Sequence, residues 1–326
     1  MQYHYLAHTG IQISHLGLGT LTWGQDTSLE QAQEMMGMYL EAGGNVIHTS
    51  PLFAGGQANQ VIGEVLKQGA PREDLVIIAK GGFTTQQGQA TARNTRTAIL
   101  QSIETSLSDL ETDYLDLFIL HAHDPHTALE ETLAALDLAQ RSGKIRALGI
   151  GDFGPWEAAE IINYAKAQGI AIHALENEYS LLNRKVETHI LPGLARSNGS
   201  FIATSPLARG VLSGKYRHGT PPDSRAASTL LAPFVAPYLQ AQYLPTVEAV
   251  VHAGDGLGIP AHAVALAWLN AAPEVSCAIV GPRNDLQLRQ ILEHADLTLP
   301  LPLIEALSDA SARPENFTGP QMPAQR

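Results

Sequence analysis

Cysteine is almost missing from this chain. Cys277 is the single one in 326 residues, so no internal disulfide can form and no cysteine-based metal site is possible. A reducing, intracellular compartment fits that scarcity. Basic residues are also in deficit, 20 Lys and Arg against 32 Asp and Glu, for a net charge of -12. With no lysine and arginine stripe, nucleic acid and anionic membrane surfaces are excluded as expected partners, and a small-molecule substrate is expected instead. Long apolar runs are absent too: LVIIA before Lys80 is typical of the longest and far too short to span a bilayer. The opening MQYHYLAHTGIQ lacks the basic segment and apolar run of a secretory leader, so the expected location is cytoplasmic. No Ser-, Gly- or Pro-rich tract divides the chain, and a single domain over residues 1–326 is expected.

What the chain does have is a large core and a repeating pattern. Hydrophobic residues make up 44% and charged residues 16%, mixed along the whole length, enough to bury a sizeable interior. Short apolar runs alternate with amphipathic stretches of ten or more residues, the mark of repeated βα units. Strands are expected at 15–20, 45–49, 75–80, 114–120, 145–150, 171–175, 201–204 and 277–280. Between them the helical period is legible, with Leu29, Ala32, Met36 and Leu40 on one face, and Ile99, Ile103, Leu107 and Leu110 on another. Thr27 with Glu30 and Thr127 with Glu130 have capping-box spacing, while Gly43, Gly143 and Gly169 stand where helices should stop. Strands that are apolar on both sides, each followed by a helix, predict a closed (βα)8 TIM barrel of the α/β class. A short N-terminal hairpin is expected around Thr9-Gly10, and residues 205–238, containing HGTPPDSRAAS, read as a long loop over the barrel mouth.

Chemistry in such barrels sits at the C-terminal strand ends, which here carry His48, Lys80, His121, Asp152, Glu176 and Thr204. Six polar side chains, most of them ionisable, converging on one mouth mark it as the candidate site. Gly149-Ile-Gly-Asp-Phe-Gly154 also mimics a GxGxxG dinucleotide fingerprint, but it follows the fifth strand, not the first, and short glycine motifs are often false positives.

GKIRALGIGDFGPW, NEYSLLNR, SPLARGVLSGKY and IVGPRNDLQL, in this order and with YLDLFILH upstream, resemble the aldo-keto reductases over nearly the whole chain. The resemblance implies a barrel that holds NAD(P)H across its C-terminal face and reduces carbonyls by hydride transfer. In that family a tyrosine protonates the carbonyl oxygen, its pKa lowered by a lysine that is paired to an aspartate, and a histidine orients the carbonyl. Lys80 and His121 match; in NVIHTSPLFAGG, His48 stands at the aspartate place and Phe53 at the tyrosine place. A phenyl ring has no proton to give, and His48 is the expected substitute acid, sharing the work with Lys80 and His121.

The resemblance also implies the cofactor residues. Ser205, Leu207, Arg209 and Lys215, with Gly281, Arg283 and Gln287, match the pyrophosphate and ribose-phosphate end. Arg283 favours NADP over NAD, since a guanidinium can grip a phosphate through two hydrogen bonds. At the nicotinamide end Asp152, Glu176 and Thr204 replace the usual asparagine, glutamine and aromatic residue, and Ile291 replaces an asparagine near the adenine. A carboxamide wants both a donor and an acceptor, whereas ionised Asp152 and Glu176 only accept. Trp23, Phe53 and His123 are expected to line the substrate side.

The same residues read without the family leave alternatives. With its aspartate partner gone, Lys80 facing His48 would be pushed toward neutrality, making it a nucleophile for Schiff-base chemistry. His48, His121, Asp152 and Glu176 could instead form a divalent-metal site, to which the spacing His121-Ala-His123 adds. The expectation is thus an NADP-dependent oxidoreductase with a non-standard acid. The alternatives are a barrel turned to Schiff-base or metal-dependent lyase or isomerase work, and a cofactor-binding protein without turnover.

Overall fold

On five of the eight barrel strands the inward row passes from aliphatic side chains at the base to a polar one at the top. The computed structural model describes residues 1–86, 89–229 and 231–312. An antiparallel hairpin, β1 (Tyr3–Tyr5) and β2 (Gln12–Ser14), precedes the barrel. The barrel strands are β3 (Leu16–Gly19), β4 (Val46–Thr49), β5 (Val76–Gly81), β8 (Leu115–His121), β9 (Ile145–Gly151), β10 (Ala174–Glu178), β11 (Ser200–Thr204) and β12 (Val275–Val280). They pair in parallel in that order, and β12 returns to β3 to close the ring. All eight strands read from the sequence are therefore barrel strands, and the (βα)8 expectation holds.

Helices α1 (Leu29–Glu41), α2 (Gln57–Lys67), α3 (Arg96–Leu110), α4 (Leu129–Arg141), α5 (Pro155–Ala167) and α6 (Val186–Ser197) cover the outside. After β11 come a short α7 (Ala232–Val235), then α8 (Leu244–Leu257) and α9 (Ala261–Asn270); α10 (Asp285–Leu292) and α11 (Leu301–Ala310) follow β12. Gly43, Gly143 and Gly169 lie just past α1, α4 and α5 with φ of +81°, +80° and +75°, the left-handed exit that a Cβ would hinder. Residues 205–243 form the expected excursion, crossing the mouth until Arg225 donates to the Gly281 carbonyl at 2.6 Å; residue 230 lies outside the described residues, as do 313–326 of the expected domain.

Three local readings need correction. The box at α1 is made by Ser28 with Gln31, one residue later than expected, because Thr27 turns inward and donates to the Arg283 carbonyl at 3.0 Å. Thr127 does not cap α4; its hydroxyl donates to Asp124 at 2.7 Å, and α4 starts after Ala128 with no side-chain cap. The strand expected at 171–175 begins only at Ala174 and runs on to Glu178, since its ladder with β11 continues to the pair Glu178 and Thr204 through residues that no apolar pattern marks. A second hairpin, β6 (Phe83–Gln86) with β7 (Gln89–Ala92), went unread because its strands are polar.

Two cores result. Ile77, Ala79, Phe118 and Leu120 face outward and pack with helix residues such as Ile99 and Ile103. Inside the barrel lie Val46, Val76, Ile78, Leu117, Ile119, Ala174 and Ile202, with Leu6 and Ile13 of the N-terminal segment closing the bottom. Side chains alternate along a strand, so the next inward residues above these are His48, Lys80, His121, Glu176 and Thr204.

Candidate active site

His48 and Glu176 belong to strands four apart in an eight-stranded ring, on opposite walls. They meet across the axis, His48 Nε2 donating to Glu176 Oε2 at 2.8 Å. Lys80, from β5 beside β4, pairs with the other carboxylate oxygen, Oε1. Glu176 is thus an anion between two bases, with its side chain fully buried. Burial alone would raise its pKa, but Lys80 and His48 outweigh that and hold the carboxyl well below the usual range. Burial would likewise lower the Lys80 pKa; Glu176 and, further off, Asp152 overcome it and keep the amine above its ordinary value.

Two expectations change here. Lys80 is not driven toward neutrality by His48, because Glu176 supplies the carboxylate that position 48 has lost, so the premise of a nucleophilic amine is gone. Glu176 was expected beside the nicotinamide; its side chain lies fully buried inside the barrel, one oxygen accepting from His48 and the other paired with Lys80.

At the rim, His121 Nδ1 stands 3.4 Å from Asp152 Oδ2, and the two residues end neighbouring strands β8 and β9. Asp152 is placed by a left-handed backbone, φ +55°, and Ala122 after His121 has φ +66°. Such non-glycine conformations cost free energy and concentrate where function needs them. The Phe53 ring lies 5.9 Å from that of His48, Phe83 meets His121 edge-on at 6.2 Å, and half-buried His123 packs edge-on against Phe153 at 6.0 Å. Phe53 therefore lies beside His48, and His123 beside Phe153. Trp23 does not line an open wall: it is fully buried in the outer core, because the β3–α1 loop turns its indole inward. Among the described residues no group of three or more His, Cys, Asp or Glu is arranged to hold a metal ion, and His48 and Glu176 are tied to each other.

A second cluster is cationic. Arg209 faces Glu178 at 3.7 Å, and Arg283 faces Asp26 at 3.3 Å while also donating to the Asp223 carbonyl. Arg225 feels both of these guanidinium groups, and Lys215 feels Arg225 and Arg283. Burial first, then Arg209 and Arg283, push the Arg225 pKa down to about 10. Lys215 is lowered by burial, then by Arg225 and Arg283. Like charges gathered at this cost are a fit for phosphate, which would relieve the repulsion. The backbone agrees: Ser205, Ala208 and Arg209 all have left-handed φ, +50°, +46° and +59°, and a Cβ on Gly281 would stand only 2.9 Å from the Arg225 guanidinium. Gln287 braces the same turn, its Oε1 accepting from the Arg283 amide at 3.0 Å. Leu207 packs against the core at the turn's entry. The residues present thus fit the phosphate end of a dinucleotide.

The aldo/keto reductase family model matches residues 15–310. The chain belongs to the aldo/keto reductase family. This aldo/keto reductase is 28% identical to the uncharacterised oxidoreductase YrpG of Bacillus subtilis, over 98% of each chain. It is 29% identical to a probable voltage-gated potassium channel subunit beta of Arabidopsis thaliana, over 97% of this chain and 100% of the relative. It is 28% identical to the L-glyceraldehyde 3-phosphate reductase of Escherichia coli, over 89% and 86% of the two chains. Membership in an oxidoreductase family accords with a mouth lined by cations and proton carriers.

One site residue and one partnership of this reductase escaped the sequence reading. Arg225 lies in HGTPPDSRAAS, where nothing local separates it from an ordinary loop arginine. The partnership of Glu176 with Lys80 and His48 was also missed, although a signal was present: a carboxylate gained at a strand end in a chain that had lost one at another.

Proposed function

We propose that the protein is an NADP-dependent oxidoreductase that interconverts a small carbonyl compound and its alcohol. The observation that supports it is the buried triad of His48, Glu176 and Lys80: the lysine keeps a carboxylate partner, from the opposite wall of the barrel. When bound, the reduced nicotinamide supplies the hydride. Arg209, Lys215, Arg225 and Arg283, with Ser205 and Gly281, would hold the phosphates, and four basic side chains around one turn favour NADP over NAD.

The remaining steps belong to side chains. Lys80 and His121 reach the mouth, 11% and 10% exposed, whereas His48 is 4% exposed behind them. Lys80 as a cation polarises the carbonyl oxygen, and His121, oriented by Asp152, gives that oxygen its proton. His48 is the deeper histidine. Its Nε2 donates to Glu176, and its part is to position Lys80 through the shared carboxylate. With one acid between two bases, the triad stays neutral or positive as negative charge develops on the substrate.

Titrating NADPH and NADH against the protein by fluorescence, followed by carbonyl reduction over an aldehyde panel, tests this. NADPH binding with turnover abolished by Lys80→Met supports it; no binding of either nucleotide at millimolar concentration overturns it. Phe53 favours a second reading, a cofactor-binding protein without turnover, in which NADPH binds and no carbonyl is reduced.

A further inference from the structure

Asn94 stands between the β6–β7 hairpin and α3, in a segment that carries none of the site residues described above. It is buried, and its hydrogen bonds run to the stretch that follows His121 in the chain. Its amide N–H donates to Asp124 Oδ2 at 2.9 Å, its carbonyl accepts from Thr132 Oγ1 at 3.0 Å, and its side-chain Nδ2 donates to the Ala122 carbonyl at 3.1 Å.

The last of these bonds falls on an unusual residue. Ala122 has a left-handed backbone, φ +66°, a conformation that a Cβ disfavours. Its N–H donates to the Gly151 carbonyl on β9 at 2.8 Å, so the residue is held on one side by the barrel wall and on the other by Asn94. His121 immediately precedes Ala122, and Asp152 immediately follows Gly151. The turn at Ala122 is therefore the joint between His121 and the carboxylate that stands 3.4 Å from its Nδ1. Strained turns of this kind persist only where their surroundings hold them from more than one side.

Stability by itself does not account for an amide at position 94. The buried Asn94 Oδ1 has no hydrogen-bond partner, a state that costs free energy and that an apolar side chain would avoid. Oδ1 faces Gly82, φ +86°, where a Cβ would stand only 2.8 Å from it. Turning the amide over would set oxygen against the Ala122 oxygen, so Nδ2 is what the asparagine supplies.

The geometry points to Asn94 as a positioning residue for His121, holding through Ala122 the turn that aims the imidazole at the substrate oxygen. Its effect on rate rests on the oxidoreductase reading; its effect on the ring does not.

Single-turnover oxidation of NADPH by an aldehyde, steady-state kinetics, nucleotide titration and nitrogen NMR of the histidine rings, all on the full-length protein, test this. Asn94→Ala keeps the two main-chain bonds and removes the amide. It should slow hydride transfer about ten- to a hundredfold, with NADPH affinity and aldehyde KM within about twofold of the natural protein. Adding Ala122→Gly, which frees the left-handed turn of its Cβ penalty, should return part of the rate. In the His121→Gln background Asn94→Ala should cost less than about twofold, since its effect passes through a ring already gone. The ring nitrogen signals of His121, assigned by their loss in His121→Gln, should shift in Asn94→Ala. A rate unchanged by Asn94→Ala, or the same factor lost in both backgrounds, overturns the assignment. If the natural protein reduces no aldehyde, the oxidoreductase reading falls and the ring signals alone decide: shifted, they sustain the assignment, and unmoved, they overturn it.

Discussion

His48 Nε2 lies 2.8 Å from Glu176 Oε2, although the two residues are 128 apart in sequence and on opposite walls of the barrel. The contact explains how a site that lost the expected aspartate still keeps Lys80 charged. A glutamate on β10 reaches over the axis and serves two bases at once.

Breaking the triad should be costly. Glu176→Gln leaves Lys80 and His48 buried without a carboxylate, and loss of one partner from such a pair typically destabilises by about 3–5 kcal/mol. Urea denaturation checks this. His48→Asp added to Glu176→Gln returns a carboxylate to the β4 side of Lys80, so the double variant should be more stable than Glu176→Gln alone, by about 1 kcal/mol or more.

Stability should depend on pH at the extremes. The Glu176 pKa is depressed below 4.5 in the fold, so its contribution is present above that value and is lost as pH falls beneath it. The Lys80 pKa is raised above 10.5, so its contribution is present below that value and fades as pH climbs past it. The stability gap between the natural protein and Glu176→Gln should therefore be level from about pH 6 to 9 and narrow in acid. A gap that narrows between pH 6 and 8 would assign the effect to another group.

His121→Gln should lower kcat by about a hundred- to ten-thousandfold with folding intact, the usual range for a lost proton donor. Circular dichroism and steady-state kinetics decide it. Restoring the family's pattern is the converse experiment. The triple variant His48→Asp, Phe53→Tyr, Glu176→Gln should raise carbonyl reduction above that of His48→Asp with Phe53→Tyr, because two carboxylates would otherwise compete for Lys80.

Cofactor choice should follow the cation cluster. Arg283→Ala is expected to weaken NADPH by about 1.5–3 kcal/mol, the range for a hydrogen bond to a charged group, and NADH much less. Equal losses for both nucleotides in the fluorescence titration would move Arg283 away from the distinguishing phosphate.

Much of the architecture was open to reading in the primary structure. Alternating apolar runs in LVIIA and YLDLFIL, and glycines such as Gly43 past the helices, fix strands and stops through local physics: period, propensity and left-handed backbone. The polar hairpin at Phe83–Gln86 escaped because its pattern is not apolar, and the α1 cap was misplaced by one residue because Thr27 and Ser28 are both capable caps. The chemical inventory was equally visible: which acid is missing at 48, which ring replaces the phenol at 53, and which turn residues match the phosphate end.

Pairing between distant side chains was not visible. Whether Glu176 meets a nicotinamide or Lys80, whether Arg225 joins Arg209 and Arg283, and whether Trp23 faces solvent or core all depend on distances across the barrel. Ring closure sets those distances by strand register, a relation among segments far apart in the chain. Local sequence can name the charges at the mouth; only the closed barrel decides which of them share a proton or a partner.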